Sequence, residues 1–254
     1  MPNMIWQRLQ SRYQRTLSAA LFRRPFRLQN RVPLISFTFD DFPRSAVHSG
    51  ARILKEFGAR GTFYASFGLM GKRAPTGDIF LREDLETLLA DGHEVGCHTF
   101  AHCDSWTSPA RVFEDSVIEN ASAFRKYNSN GRFRTLSYPL SCPRPRTKRR
   151  VERHFRACRG GGQTYNLGVT DLNLLKAFFL EKSRTNPERI EALIRENSAA
   201  RGWLIFATHD VGPEPTPYGC TPSFFETVVR WSRESGADIL PVSDALELAA
   251  SETA

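Results

Sequence analysis

The stretch ISFTFDDFP, Ile35 to Pro43, decides how this chain is read. β-Branched and aromatic residues dominate its first half, and with the preceding Val32-Pro33-Leu34 they read as a strand buried on both faces. The run then stops on two adjacent carboxylates, Asp40 and Asp41, followed by Phe42 where a tight turn would more comfortably carry glycine. Two like charges at the end of a buried strand are costly unless something nearby compensates them.

Working outward, strand-like and helix-like segments alternate. AVHSGARILKEFG (46–58) reads as the next helix, closed by Gly58, and GTFYASF as the second strand. REDLETLLADG, ending at Gly92, is a helix, and HEVGC is a strand. PARVFEDSVIENASAFRKY reads as a helix with Ser108 as its N-cap and proline in the first turn. RFRTLSYP, HFRACRGG and WLIFATHD are further strands, with the helix NPERIEALIRENSAARG before the last of them. Helix TPSFFETVVRWSRESG, strand ADILPV and helix SDALELAAS follow. This alternation predicts an α/β fold, a parallel sheet covered by helices and closed as a barrel.

In such a barrel the C-terminal strand ends share one face, where sites are built. Those ends carry Asp40 and Asp41, His98, Pro139, and His209 with Asp210. HTFAH places His98 and His102 four residues apart, so one helical turn would bring both imidazoles to the same side. Two imidazoles and a carboxylate form a common ligand set for a divalent ion that keeps a position open for water. The ion also accounts for the paired aspartates: one can ligate it while the other stays ionised as a base. Cys97 and Cys103 bracket the histidine pair and read either as a ligand or as small buried side chains. The five cysteines show no repeated CxxC spacing, which points to reduced thiols.

Length and composition fit one main domain of 31–254 behind a basic extension of 1–30. The net charge is +8, but seven arginines precede the first acidic residue, so the globular part is close to neutral and a nucleic-acid partner is not expected. The extension has apolar residues Ile5, Trp6, Leu9, Tyr13, Leu17 and Leu21 at helical spacing. It fits a helix docked on its own domain, or one making weak contact with an anionic membrane surface. RPRTKRR (144–150) reads as a solvated loop, and RGGGQ (159–163) as a loop lining a groove. No apolar run of transmembrane length and no secretory core is seen, which leads to the expectation of a soluble, cytoplasmic protein. Nucleophile-elbow, phosphate-loop and dinucleotide motifs are absent from the sequence.

Taken in order, TFDD, HTFAH, SYPLS, GVTD and IFATHD resemble the motifs of the NodB-type polysaccharide deacetylases, carbohydrate esterase family 4, over roughly residues 31–245. The resemblance implies a distorted (β/α) barrel of about seven parallel strands. It also implies removal of acetyl groups from an N-acetylglucosamine-containing oligosaccharide or glycan precursor with Zn2+, or Co2+, as cofactor, a nodulation-type chitooligosaccharide deacetylase being one such enzyme. By the same resemblance Asp40 would be the catalytic base, Asp41, His98 and His102 the metal ligands, and His209 the catalytic acid oriented by Asp171. Pro139 and Leu140 would mark the oxyanion and substrate position, with the Leu140 N–H as donor. The chain departs from the family pattern at Phe42, at Ser137 where many members place an arginine against the base, and at Leu140 where an aromatic is usual. The alternative is a non-catalytic glycan-binding protein that keeps the fold.

Overall fold

A computed structural model describes residues 4–140 and 142–251. Its strands are β1 (Pro25–Arg27), β2 (Leu34–Phe39), β3 (Thr62–Ala65), β4 (Arg73–Ala74), β5 (Gly77–Asp78), β6 (Glu94–Cys97), β7 (Thr135–Ser137), β8 (Ala157–Arg159), β9 (Val169–Asp171), β10 (Phe178–Phe179), β11 (Trp203–Thr208) and β12 (Asp238–Ile239). The helices are α1 (Met4–Ala20), α2 (Arg52–Glu56), α3 (Arg82–Ala90), α4 (Ala110–Tyr127), α5 (Pro145–Val151), α6 (Glu188–Ala200), α7 (Pro222–Glu234) and α8 (Val242–Ser251). The main sheet runs β10-β11-β2-β3-β6-β7-β8, with β12 also against β2, and every pairing in it is parallel. It curves into the distorted (β/α) half-barrel that the sequence predicts. The seam beyond β8 is bridged where the Gly160 N–H donates to the Leu175 carbonyl at 2.9 Å.

β2 is central because all six of its residues are buried, and it is flanked by β11 and β3. Phe39 stacks on Phe63 at 4.4 Å, and Phe37 stacks on Phe206 at 5.3 Å. Burying each such ring stabilises the fold by about 1.5–3 kcal/mol. This packing fixes the strand on which Asp40 and Asp41 ride.

Local details differ from the sequence reading. The helix expected over 46–58 opens as a π-helical turn, Ala46–Ala51, before α2. α4 begins one residue later than expected, with Pro109 at the cap position and no side-chain cap. RPRTKRR is not a solvated loop. Pro145 starts α5, and Lys148 is 0% exposed, donating to the carbonyls of Ser18 (2.7 Å) and Leu21 (3.0 Å) and to Asp171 (2.8 Å). All three ammonium donors are thus used, one of them on a carboxylate. The same contacts tie the end of α1 to the body. Further along, β1 pairs antiparallel with β9, and Arg24 donates to the carbonyls of Phe155 (3.0 Å) and Arg156 (2.6 Å). No helix among the described residues is long and apolar enough to cross a membrane.

Candidate active site

Asp41, His98 and His102 converge: one ligand atom from each lies within 4.8 Å of the others. Asp41 Oδ1 is 3.3 Å from His102 Nε2 and 3.7 Å from His98 Nε2, while Oδ2 accepts from the Thr76 hydroxyl at 3.0 Å. Oδ1 itself is buried with no hydrogen-bond partner, an orphan that a cation would satisfy. His98 Nδ1 donates to the Ser137 carbonyl at 2.8 Å, which fixes the ring and turns the Nε2 lone pair towards Asp41. Burial lowers the His98 pKa to about 4, so the ring is neutral at pH 7, as a ligand must be. The residues present therefore fit a divalent ion. Cys97 and Cys103 are outside the set: Cys97 is buried, accepts from the Thr99 N–H and the Asn120 amide, and has its thiol pushed up to about 12 by burial.

The imidazoles are not brought together by a helical turn. Residues 98–102 are irregular, with Thr99 at φ 60° and His102 at φ 50°. Asp41 and Phe42 also lie in the left-handed region, at φ 59° and 60°, as does Leu140 at 60°. Phe42 thus takes the positive φ for which a tight turn would more comfortably carry glycine. Each such residue costs about 1–3 kcal/mol and persists where the surroundings hold it. For Phe42 the surroundings are visible: its ring is fully buried and stacks on Phe80 at 4.2 Å.

Asp40 pairs with Arg159, a residue the sequence reading did not single out beyond the start of its glycine loop. Arg159 is 1% exposed at the end of β8 and is the register partner of Ser137 on β7. The guanidinium that the resemblance places at position 137 is here supplied by the next strand, about 4.8 Å away. Arg159 also lies over the Tyr64 ring at 4.9 Å and the Phe179 ring at 5.9 Å. Tyr64 is seated against Gly96 of β6, where a Cβ would come within 2.4 Å of the ring. Burial pushes the Asp40 carboxyl up, but Arg159, His98 and His209 outweigh it and hold the acid well below the usual carboxylate range. A lone arginine next to glycines gave no sequence signal that parallel pairing would aim it at β2.

His209 follows the last residue of β11, whose Thr208 pairs with Phe39, so His209 and Asp40 are neighbours across two strand ends. Its Nδ1 lies 3.2 Å from the Tyr218 carbonyl, and donation there leaves Nε2 for chemistry. Asp171 is not brought to His209. Its Oδ2 takes Lys148 and its Oδ1 accepts the N–H groups of Arg24 and Asn173, both at 2.9 Å, because β9 leaves the main sheet to pair with β1. Glu181, just past β10, where Phe179 pairs with Ala207 of β11, is a further acid on this side that feels the charge of His209. Burial pushes the Glu181 carboxyl up, a backbone N–H and the charges of His209 and Lys182 draw it partly back, and its Oε2 has no hydrogen-bond partner. Nothing in LEKS, taken as sequence, distinguishes that glutamate from any surface acid.

The family model for polysaccharide deacetylases matches residues 28–155. The chain belongs to the polysaccharide deacetylase family. Among solved structures, a chitin deacetylase from the fungal pathogen Colletotrichum lindemuthianum is similar at 19% identity and TM-score 0.62, over 86% of this chain and 89% of that one. A family 4 acetyl xylan esterase from Clostridium thermocellum, in complex with cobalt, is similar at 19% identity and TM-score 0.59, over 85% and 91%. A family 4 pseudoenzyme from Bacillus anthracis is similar at 12% identity and TM-score 0.58, over 87% and 68%. A search of curated proteins gives no match. These likenesses support the fold.

In this polysaccharide deacetylase domain Pro139 and Leu140 follow β7, beside the His98 support at Ser137. The Pro139 carbonyl accepts from the Ser105 hydroxyl at 2.8 Å, which pins the turn. The Leu140 N–H meets no acceptor among the described residues, and its side chain is 65% exposed.

Proposed function

We propose that this chain is a metal-dependent deacetylase that hydrolyses the acetamide of an N-acetylglucosamine-containing oligosaccharide or glycan precursor. The observation that carries the reading is the orphaned Asp41 Oδ1 between two imidazoles, one strand end from the Asp40–Arg159 pair and His209. A bound divalent ion, Zn2+ or Co2+, would supply Lewis acidity and lower the pKa of water towards about 7. Asp40, kept ionised by Arg159, accepts the proton of the attacking water. The Leu140 N–H, which meets no acceptor among the described residues, donates to the developing oxyanion. His209, anchored through Nδ1, carries a proton on Nε2 to the departing amine, which is a poor leaving group without it.

Acetate release from chitooligosaccharides, with zinc or cobalt present, tests the reading. Release no greater than that of the Asp40→Asn protein, across several acetylated glycans, would sink it. A nodulation-type chitooligosaccharide substrate is one arm of that screen, and O-acetylated xylan another. The second reading, a glycan binder without turnover, draws on the likeness to a pseudoenzyme and on Leu140 in place of an aromatic. Substoichiometric metal after reconstitution would favour it.

A further inference from the structure

A cavity of about 730 Å3 opens between the C-terminal turn of α1 and the 161–182 segment. We propose that it binds an anionic substituent, phosphate or uronate carboxylate, of the acetylated saccharide whose acetyl group the neighbouring site removes. This rests on the deacetylase reading above. Four exposed cations line the cavity, Arg15 and Arg23 on one wall, Lys176 and Lys182 on the other, and none is in an ion pair among the described residues. Among the described residues Asp171 is its one carboxylate, and it is already paired with Lys148. A concave surface of one sign with apolar walls focuses its field on an incoming counter-ion. The volume is that of an ordinary small-ligand site.

The walls are built rather than incidental. The buried Lys148 fixes the α1 end by donating to Ser18 and Leu21, which holds Arg15 and Arg23 in place. On the opposite side the glycine loop after Arg159 lies flat against Lys176: a Cβ at Gly162, where φ is 157°, would come within 2.9 Å of the lysine's own Cβ. Phe179 links this cavity to the catalytic residues. Its ring carries Lys182 Nζ at 5.1 Å, and the Arg159 guanidinium that holds Asp40 at 5.9 Å. A saccharide spanning both would set its acetamide at Asp40 and its anionic group one aromatic ring away.

Isothermal titration of the metal-loaded full chain with inorganic pyrophosphate, a galacturonate trimer and neutral chitotetraose tests the proposal. It is run on wild type and on two double variants, Lys176→Glu with Lys182→Glu and Arg15→Glu with Arg23→Glu, each verified as folded by its melting curve. Saturable binding of either anion, weakened roughly tenfold or more in both variants while chitotetraose binding changes less, is the expected result. The two anions separate phosphate from carboxylate chemistry. Anion affinity equal in wild type and both variants would overturn the proposal by assigning the heat to the metal. Binding to phosphatidylglycerol vesicles with none of either soluble anion would overturn it too, by making this face a membrane contact. The Asp40→Asn protein, titrated in parallel, separates the two claims: no acetate release from any glycan by the wild type defeats the deacetylase reading, and anion binding by Asp40→Asn that responds to the charge reversals upholds the cavity regardless.

Discussion

Removing Arg159 should both destabilise the protein and move its acid limb. Arg159→Met keeps an unbranched stem against Tyr64 and Phe179 and deletes the charge that pairs with buried Asp40. Stripping one partner from a buried ion pair costs about 3–5 kcal/mol. At about 2–4 °C per kcal/mol for a chain of this size, the melting temperature near pH 7 should fall by roughly 6–20 °C. The sign with pH is specific. In the wild type the Asp40 pKa is depressed, so its contribution is present above the unfolded carboxylate pKa and lost as pH falls through the lower folded value. In the variant burial acts unopposed and raises the pKa, so the penalty grows as pH rises. The gap in melting temperature should therefore narrow towards pH 4, and the acid limb of kcat/KM should move to higher pH. Because Ser137 faces Arg159 across β7 and β8, the swap Ser137→Arg with Arg159→Ser should recover part of the loss. A melting gap that is flat with pH, together with an unmoved acid limb, would refute the assignment of Arg159 as the charge that holds Asp40 ionised.

The metal set predicts that Asp41→Asn and His102→Ala each lower zinc content after reconstitution from near one per chain to under about a tenth, by elemental analysis. Asp171 and Glu181 should separate cleanly in melting curves. Asp171→Asn leaves Lys148 buried beside a neutral amide and costs about 3–5 kcal/mol. Glu181→Gln replaces a half-buried carboxyl whose Oε2 has no hydrogen-bond partner, so the melting temperature should change little. His93 is buried, accepts the Gly61 N–H at 3.0 Å, and has its pKa lowered by burial to about 4. The unfolded chain binds this proton first, so stability should fall as pH drops from about 6.5 to about 4, by up to ~1.4 kcal/mol per pH unit from this group. His93→Gln should flatten that slope in denaturant titrations.

Much of the candidate site could be read in advance because most of its residues sit at or just past the ends of strands announced by composition. β2 and β11 are buried throughout and β6 over its last three residues, and each is followed at once by Asp or His. What sequence by itself determined was the parallel α/β class and the candidate residues Asp40, Asp41, His98, His102 and His209, since hydrophobic periodicity and residue chemistry are local properties. Tertiary structure alone decided their supports. Arg159 reaches Asp40 through the lateral register of β8, Glu181 is placed on the His209 side by the pairing of β10 with β11, and Asp171 is taken away by the pairing of β9 with β1. Lateral strand pairing joins residues far apart in the chain, and no local pattern encodes its register. The stretch that began as two unexplained aspartates shows the same division. Its charges announced a site, but the left-handed turn at Asp41 and Phe42 is held by stacking on Phe80, a contact set only when the chain packs.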